Sequence, residues 1–189
     1  IEHRGPDGIR TMIRNSVAFG HTRLAVIDTE TGWQPIANED ASIFVILNGE
    51  IYNFQELRIY LIGLGHQFST SSDTEVIVHL YEEEGIEFVK SLNGMFALAI
   101  WDEPNRRLIL ARDRIGEKPL FYYCENDYFI FSSELKCIKK LLESKLEINN
   151  DSMQLYSSLG YIPAPYTIFK KVKKVIPGEL IIINNQKIC

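Results

Sequence analysis

Two hairpin signatures in tandem constrain this chain more than any other feature of its sequence. Met95–Trp101 and Leu108–Arg112 flank Glu103-Pro104-Asn105-Arg106, and Leu120–Tyr123 and Tyr128–Ser132 flank Glu125-Asn126-Asp127. Upstream, β-rich runs are predicted at Ser16–Phe19, Leu24–Asp28 and Ala41–Leu47. Helices gather between these strands. Asn53 with Glu56 reads as a capping pair ahead of Leu57, Tyr60, Leu61 and Leu64, with a stop at Gly65. Ser72 with Glu75 repeats the pattern ahead of Val76, Ile77, Leu80 and Tyr81, and Gly85 ends that helix. Further helices are predicted over Glu134–Glu143 and Asp151–Leu159, and a last strand over Gly178–Asn184. Antiparallel hairpins without a βαβα rhythm indicate α+β layers, not a doubly wound sheet.

Composition narrows the class of function. The 189 residues amount to one domain, with 46% hydrophobic and 24% charged residues, which is ordinary for a globular chain. Lys plus Arg is 20 against 25 Asp plus Glu, a net charge of −5 without a basic block, so nucleic acid is not the expected ligand. No apolar run approaches the ~18 residues of a spanning helix, so no membrane partner is expected. The opening Ile-Glu-His-Arg-Gly-Pro-Asp-Gly reads as neither a signal nor a transit peptide, and a cytoplasmic protein is expected.

Most generic chemical signatures are missing. The sequence holds no GxGxxG, GxxxxGK[ST] or HExxH string. His3, His21, His66 and His79 are scattered without ligand spacing and read as turn or packing residues, so no metal is expected. Cys124, Cys137 and Cys189 form neither a disulfide framework nor a metal knuckle. Lys136, Lys139 and Lys140 surround Cys137, yet its amphipathic helix marks it as structural.

Three segments carry more information. Arg23 precedes the apolar run Ala25-Val26-Ile27, Asn48-Gly49-Glu50 ends a strongly apolar strand, and Ser72-Asp73 opens a helix. One Arg for a carboxylate and two acids for an ammonium suit a free α-amino acid, and an Asn amide with a Gly N–H suits an oxyanion. The same residues also serve as caps, turns and surface ion pairs, which is their commoner use. Spacing alone leaves both readings open.

The order of longer motifs adds a resemblance. The chain carries His-Arg-Gly-Pro-Asp-Gly at 3–8, Gly-His-Thr-Arg-Leu-Ala-Val-Ile-Asp at 20–28 and Gln-Pro at 34–35. Asn-Gly-Glu-Ile-Tyr-Asn-Phe follows at 48–54, Ser-Asp-Thr-Glu-Val-Ile at 72–77 and Leu-Asn-Gly-Met-Phe-Ala at 92–97. Downstream stand Ala-Arg-Asp-Arg at 111–114, Gly-Glu-Lys-Pro-Leu-Phe-Tyr at 116–122, Ser-Ser-Glu at 132–134, Gly-Tyr-Ile-Pro-Ala-Pro at 160–165 and Pro-Gly at 177–178. Together they resemble the class-II glutamine amidotransferase domain of glutamine-hydrolysing asparagine synthetases, over essentially residues 1–189. The resemblance implies an α+β fold, the four-layer αββα sandwich of the N-terminal-nucleophile hydrolases, with its first strand missing. It implies that Arg23 binds the glutamine α-carboxylate beside Leu24, Val26 and Ile27, and that Asn48 and Gly49 form the oxyanion hole. Glu50 and Asp73, with Ser72 beside them, are implied to hold the α-ammonium.

The chain departs from that pattern at its start. The family's nucleophile is an N-terminal Cys upstream of the 3–8 motif, whose own α-amino group is the base, at an ordinary pKa of ~7.7–8.0. None of the three cysteines can replace it, because a Cys inside the chain has no free α-amino group, so the chain as given is expected to be inactive. The Ser-Gly-Gly-x-Asp-Ser loop of the family's synthetase domain is absent as well. Any ATP and Mg²⁺ therefore belong to a missing C-terminal synthetase domain of the same polypeptide; this domain is expected to need no cofactor. A homodimer is compatible with this reading. The alternatives are a glutaminase domain serving another acceptor and a non-catalytic amino-acid-binding domain on the same fold.

Overall fold

The computed structural model describes residues 1–125, 128–142, 146–184 and 187–188. Strands β1 (Gly8–Arg14) and β2 (Val17–Arg23) pair as an antiparallel ribbon. The largest sheet combines β3 (Ile36–Ala37), β4 (Ile43–Ile51), β5 (Gly94–Asp102), β6 (Arg107–Arg112), β10 (Leu180–Asn184) and β11 (Lys187–Ile188), in the order β11-β10-β6-β5-β4-β3. A third sheet has the order β8-β7-β9, from β7 (Phe121–Glu125), β8 (Tyr128–Ser132) and β9 (Val172–Lys174). The helices are α1 (Phe54–Leu64), α2 (Glu75–Glu84), α3 (Leu135–Leu142) and α4 (Asn150–Leu159).

Strand β5 shows how the layers form. Its side chains alternate, and both faces are buried because the sheet is covered on two sides. Phe96, Leu98 and Ile100 pack with Leu61 of α1 and Val76, Ile77 and Leu80 of α2. Ala97, Ala99 and Trp101 face the opposite way, into a core shared with Phe19 of β2, Tyr122 of β7 and Phe129 and Phe131 of β8. A third cluster, Tyr123, Ile138 and Val172, seals the far side of the β8-β7-β9 sheet against α3. The succession is helix, sheet, sheet, helix, the αββα order the sequence resemblance implies.

Several local expectations need correction. Leu24–Asp28 is a loop, not a strand. Leu24 and Val26 are 62% and 71% exposed, the Ala25 N–H donates to the Asp7 carboxylate at 2.7 Å, and Asp28 adopts a left-handed φ of 52°. Strand β1 was not anticipated, since nearly every side chain along it is exposed or half-exposed and leaves no apolar alternation. Neither capping pair forms. The Asn53 side chain turns away to the Ser91 carbonyl and the Asn93 N–H, and Glu75 reaches back to Ser69 and Thr70. Ser72 Oγ accepts from the Thr74 N–H, one residue before α2 begins. The Asn126-Asp127 turn, Glu143 at the predicted end of α3 and Cys189 lie outside the described residues. Among the described residues, no helix is long and apolar enough to cross a membrane.

Candidate functional site

A cleft of about 350 Å³ opens where β2, the end of β4 and the start of α2 meet, with Phe131, Ser132 and Ser133 on the far wall. Arg23, Leu24, Val26, Ile27, Asn48, Gly49, Glu50, Ser72 and Asp73 all line it. The fold thus brings together every site residue that the sequence motifs single out.

Arg23 is the last residue of β2 and is only 4% exposed. Its guanidinium lies 4.7 Å from the Trp33 ring centroid and donates through Nη2 to the Asp28 carbonyl. Gly32 packs against the same group, and a Cβ there would come within 3.2 Å of Nη2. The opposite nitrogen, Nη1, is buried without a hydrogen-bond partner. A buried cationic N–H left unpaired is costly, so this atom is free to donate to an anion in the cleft.

Asn48 and Gly49 sit where β4 runs past β5. Asn48 Oδ1 accepts from Arg4 at 3.5 Å, whereas its Nδ2 is buried without a partner. Gly49 has a φ of 150°, and a Cβ on it would lie 1.9 Å from the Met95 carbonyl oxygen. Main chain meets main chain there, so no side chain fits.

Asp73 is 6% exposed and accepts from the Ile51 N–H at 2.9 Å. Burial pushes its pKa upward. The Ile51 and Ser72 hydrogen bonds oppose that rise, and the Glu50 charge adds to it. A buried carboxylate with a second carboxylate beside it suits a cation.

Other residues shape the cleft from behind. Gln34 accepts the Leu47 N–H at 2.6 Å and donates to Thr74 at 3.1 Å, so it pins β4 to the start of α2. Asp113 accepts the N–H groups of Ile115, Gly116, Glu117 and Lys118, while Arg112 donates to the carbonyls of Gly116, Lys118 and Val175. Together they fix the loop that brings Lys118 to the cleft wall. His21, expected as a turn or packing residue, lines the cleft too, and burial pushes its pKa down. Gln34, His21 and Lys118 lay inside quoted motifs, but their roles depend on partners distant in sequence.

Cysteines 124 and 137 lie on β7 and α3, outside the cleft lining. The cleft's own groups are one unpaired guanidinium nitrogen, one unpaired amide nitrogen and two close carboxylates. That set matches the two charged ends of an α-amino acid, with an extra donor left for an oxygen along its side chain.

The chain is 42% identical over 179 residues to asparagine synthetase [glutamine-hydrolyzing] 1 of Bacillus subtilis, covering 95% of this chain and 28% of that protein. It is 40% identical over 208 residues to the putative asparagine synthetase [glutamine-hydrolyzing] 2 of Methanocaldococcus jannaschii, covering 99% of this chain and 40% of that one. The chain therefore spans well under half the length of these relatives. Among solved structures, the B. subtilis glutamine phosphoribosylpyrophosphate amidotransferase matches with a TM-score of 0.63 and 26% identity, covering 91% of this chain and 34% of that one. The layered sandwich is thus that of the N-terminal-nucleophile amidotransferases. The glutamine amidotransferase domain family matches residues 1–189. With sandwich, cleft and relatives in agreement along the whole length, the chain belongs to that family.

Proposed function

We propose that this chain binds glutamine and is the glutamine-hydrolysing domain of an asparagine-synthetase-type enzyme. The observation that carries the reading is the pair of buried, unpartnered donors in one cleft, Arg23 Nη1 and Asn48 Nδ2. In this reading Arg23 takes the α-carboxylate, and Glu50 and Asp73 take the α-ammonium. Clamped at that end, the glutamine side chain reaches toward Asn48 and Gly49 with its amide oxygen. Leu24, Val26 and Ile27 form the apolar wall, and Ser72 orients Asp73.

Hydrolysis then needs a nucleophile, for which we propose a Cys preceding Ile1. Ile1 and Arg4 themselves line the cleft, which supports a nucleophile reaching it from just upstream. The thiolate forms a C–S bond to the side-chain amide carbon, and the resulting oxyanion accepts from Asn48 Nδ2 and the Gly49 N–H. The tetrahedral adduct collapses with loss of ammonia, its nitrogen taking the proton given up by the thiol, and water hydrolyses the thioester to glutamate. In the whole enzyme, a domain beyond this chain would use the ammonia to amidate aspartate with ATP and Mg²⁺.

Calorimetry and ammonia release test the reading together. The 189-residue chain is expected to bind glutamine without releasing ammonia, and a Cys-led upstream extension to restore release. Arg23→Gln is expected to weaken binding by ~10–100-fold, the loss of one charge-assisted contact. Steady ammonia release from the unextended chain, or unchanged binding in the Arg23 variant, would overturn it.

A further inference from the structure

Outside the cleft, the helical layer carries a cluster that glutamine chemistry does not use. Glu39 lies between β3 and β4, His66 follows α1, and His79 and Glu82 lie on α2. Their sequence spacing gives no ligand motif, but the fold stacks the two imidazoles with ring centroids 4.7 Å apart.

Both rings turn Nδ1 toward the same carboxylates. His66 Nδ1 is 3.2 Å from Glu39 Oε1 and 3.9 Å from Glu82 Oε2. His79 Nδ1 is 3.3 Å from Glu39 Oε2 and 3.3 Å from Glu82 Oε2. A tetrahedral ion with metal–ligand bonds of ~2.0–2.2 Å needs ligand atoms roughly 3.3–3.6 Å apart. Three of these four separations fall within ~0.1 Å of that range, with Glu39 offering Oε1 to one ring and Oε2 to the other.

Outer groups orient the inner ones. His66 Nε2 is 3.1 Å from Glu83 Oε1, and His79 Nε2 faces Glu75 Oε1 at 3.8 Å. The Gln67 N–H donates to Glu39 at 2.9 Å, and Asn38 Nδ2 donates to Glu82 Oε1 at 2.8 Å. His66, paired at Nε2 with an outer carboxylate while Nδ1 faces inward, has the arrangement metal-binding histidines use, whereas His79 Nε2 is buried without a hydrogen-bond partner.

Proton accounting points the same way. A neutral imidazole donating from Nε2 presents a lone pair at Nδ1. Here those lone pairs would face the oxygens of Glu39 and Glu82, with Glu75 and Glu83 adding further negative charge. Arg58, stacked on Phe68 beside His79, directs its Nη1 to the Thr70 carbonyl. The centre is therefore held either by Nδ1 protons, from the other neutral tautomer or from imidazolium, or by a bound cation.

We propose that Glu39, His66, His79 and Glu82 form a binding site for a divalent transition-metal ion of the zinc class. Two imidazoles and two carboxylates suit such an ion better than Mg²⁺ or Ca²⁺, which favour all-oxygen shells. A closed four-ligand set leaves no position for substrate, so the role is structural. It clasps the β3–β4 loop and the end of α1 onto α2.

The test is metal binding by the 189-residue chain after chelator treatment. Zn²⁺ is titrated calorimetrically, and Co²⁺ is followed by its visible absorption, which is intense only in four-coordinate sites. The expected result is saturation at one equivalent with a four-coordinate cobalt spectrum. Glu39→Gln and His66→Gln should abolish that spectrum, and Glu83→Gln, one step out, should weaken zinc binding by ~10–100-fold. Circular dichroism and metal-free melting establish that each variant folds. Glu83 is a surface residue that is no proposed ligand, so its variant keeps the question decidable if the others misfold. Absence of a one-equivalent site, a six-coordinate cobalt spectrum, or equal binding in wild type and folded variants would overturn the proposal. Nitrogen-15 shifts showing both rings doubly protonated, without zinc uptake, would identify protons as the occupants instead.

Discussion

The Ile51 N–H donates to the Asp73 carboxylate at 2.9 Å, and through this bond the end of β4 and the approach to α2 share one site. Glu50 and Ser72, their immediate neighbours, are carried into the same cleft. The bond leaves Asp73 a buried carboxylate beside a second one. Its pKa rises, so ionising it opposes folding at neutral pH while serving the ammonium site.

Asp73→Asn should separate these two effects. The amide oxygen can still accept from Ile51, and no buried charge remains, so the thermal midpoint should hold or increase. Glutamine affinity should fall by ~10–100-fold. In the wild type, acidification protonates Asp73 at a pH above that of an ordinary Asp, and binding should weaken from there downward. Calorimetry across pH on both proteins checks this, and a wild-type profile as flat as the variant's would contradict it.

Asn48→Ala, placed in the Cys-led extended chain, should lower ammonia release by ~10²–10³. Substrate affinity should change far less, since the amide meets the oxyanion only as charge develops. A rise in KM with kcat unchanged would assign Asn48 to binding.

Gly49→Ala should damage the fold before the chemistry. The new Cβ would sit 1.9 Å from the Met95 oxygen at a φ of 150°, so β4 must separate from β5 locally. A loss of ~3 kcal/mol or more is expected in urea unfolding.

Glu75 sets an acid limit on stability. Burial pushes its pKa up, but the nearby His79 ring and hydrogen bonds from Thr70 and Ser69 outweigh this and bring it down to about 2. A depressed carboxylate stabilises above its unfolded-state value and loses that contribution as pH falls through its folded one. About 3 kcal/mol should therefore disappear between about pH 4.5 and pH 2. Urea melts in pH steps should show this slope in the wild type and not in Glu75→Gln.

The hairpins were legible because their information is local. Turn residues and apolar alternation both lie within a few positions of Pro104, and β8 falls where the sequence places it, at Tyr128–Ser132. The site residues were legible as motifs, yet their convergence depends on contacts across 22 residues, as between Ile51 and Asp73. Leu24 and Val26 misled, because apolar residues at a cleft mouth imitate a buried strand. Asn53 and Glu75 misled in another way: each has a capping residue's chemistry, and each found a better tertiary partner. His66 and His79 stand 13 positions apart, one just after α1 and one on α2, and only the packing of α1 on α2 brings them into contact.

The loop from Asp113 to Lys118 takes its shape from main-chain atoms held by two side chains, Asp113 on its N–H groups and Arg112 on its carbonyls. The Ile115 side chain is 79% exposed, and the hydrogen bonds at Glu117 and Lys118 use only their backbone atoms. Form and side-chain identity are therefore uncoupled at these positions. Mutational drift or a randomised library could rewrite the loop's outward chemistry at Ile115 and Glu117 while the wall beside the cleft kept its contour. Arg112 and Asp113 would stay invariant in every surviving sequence.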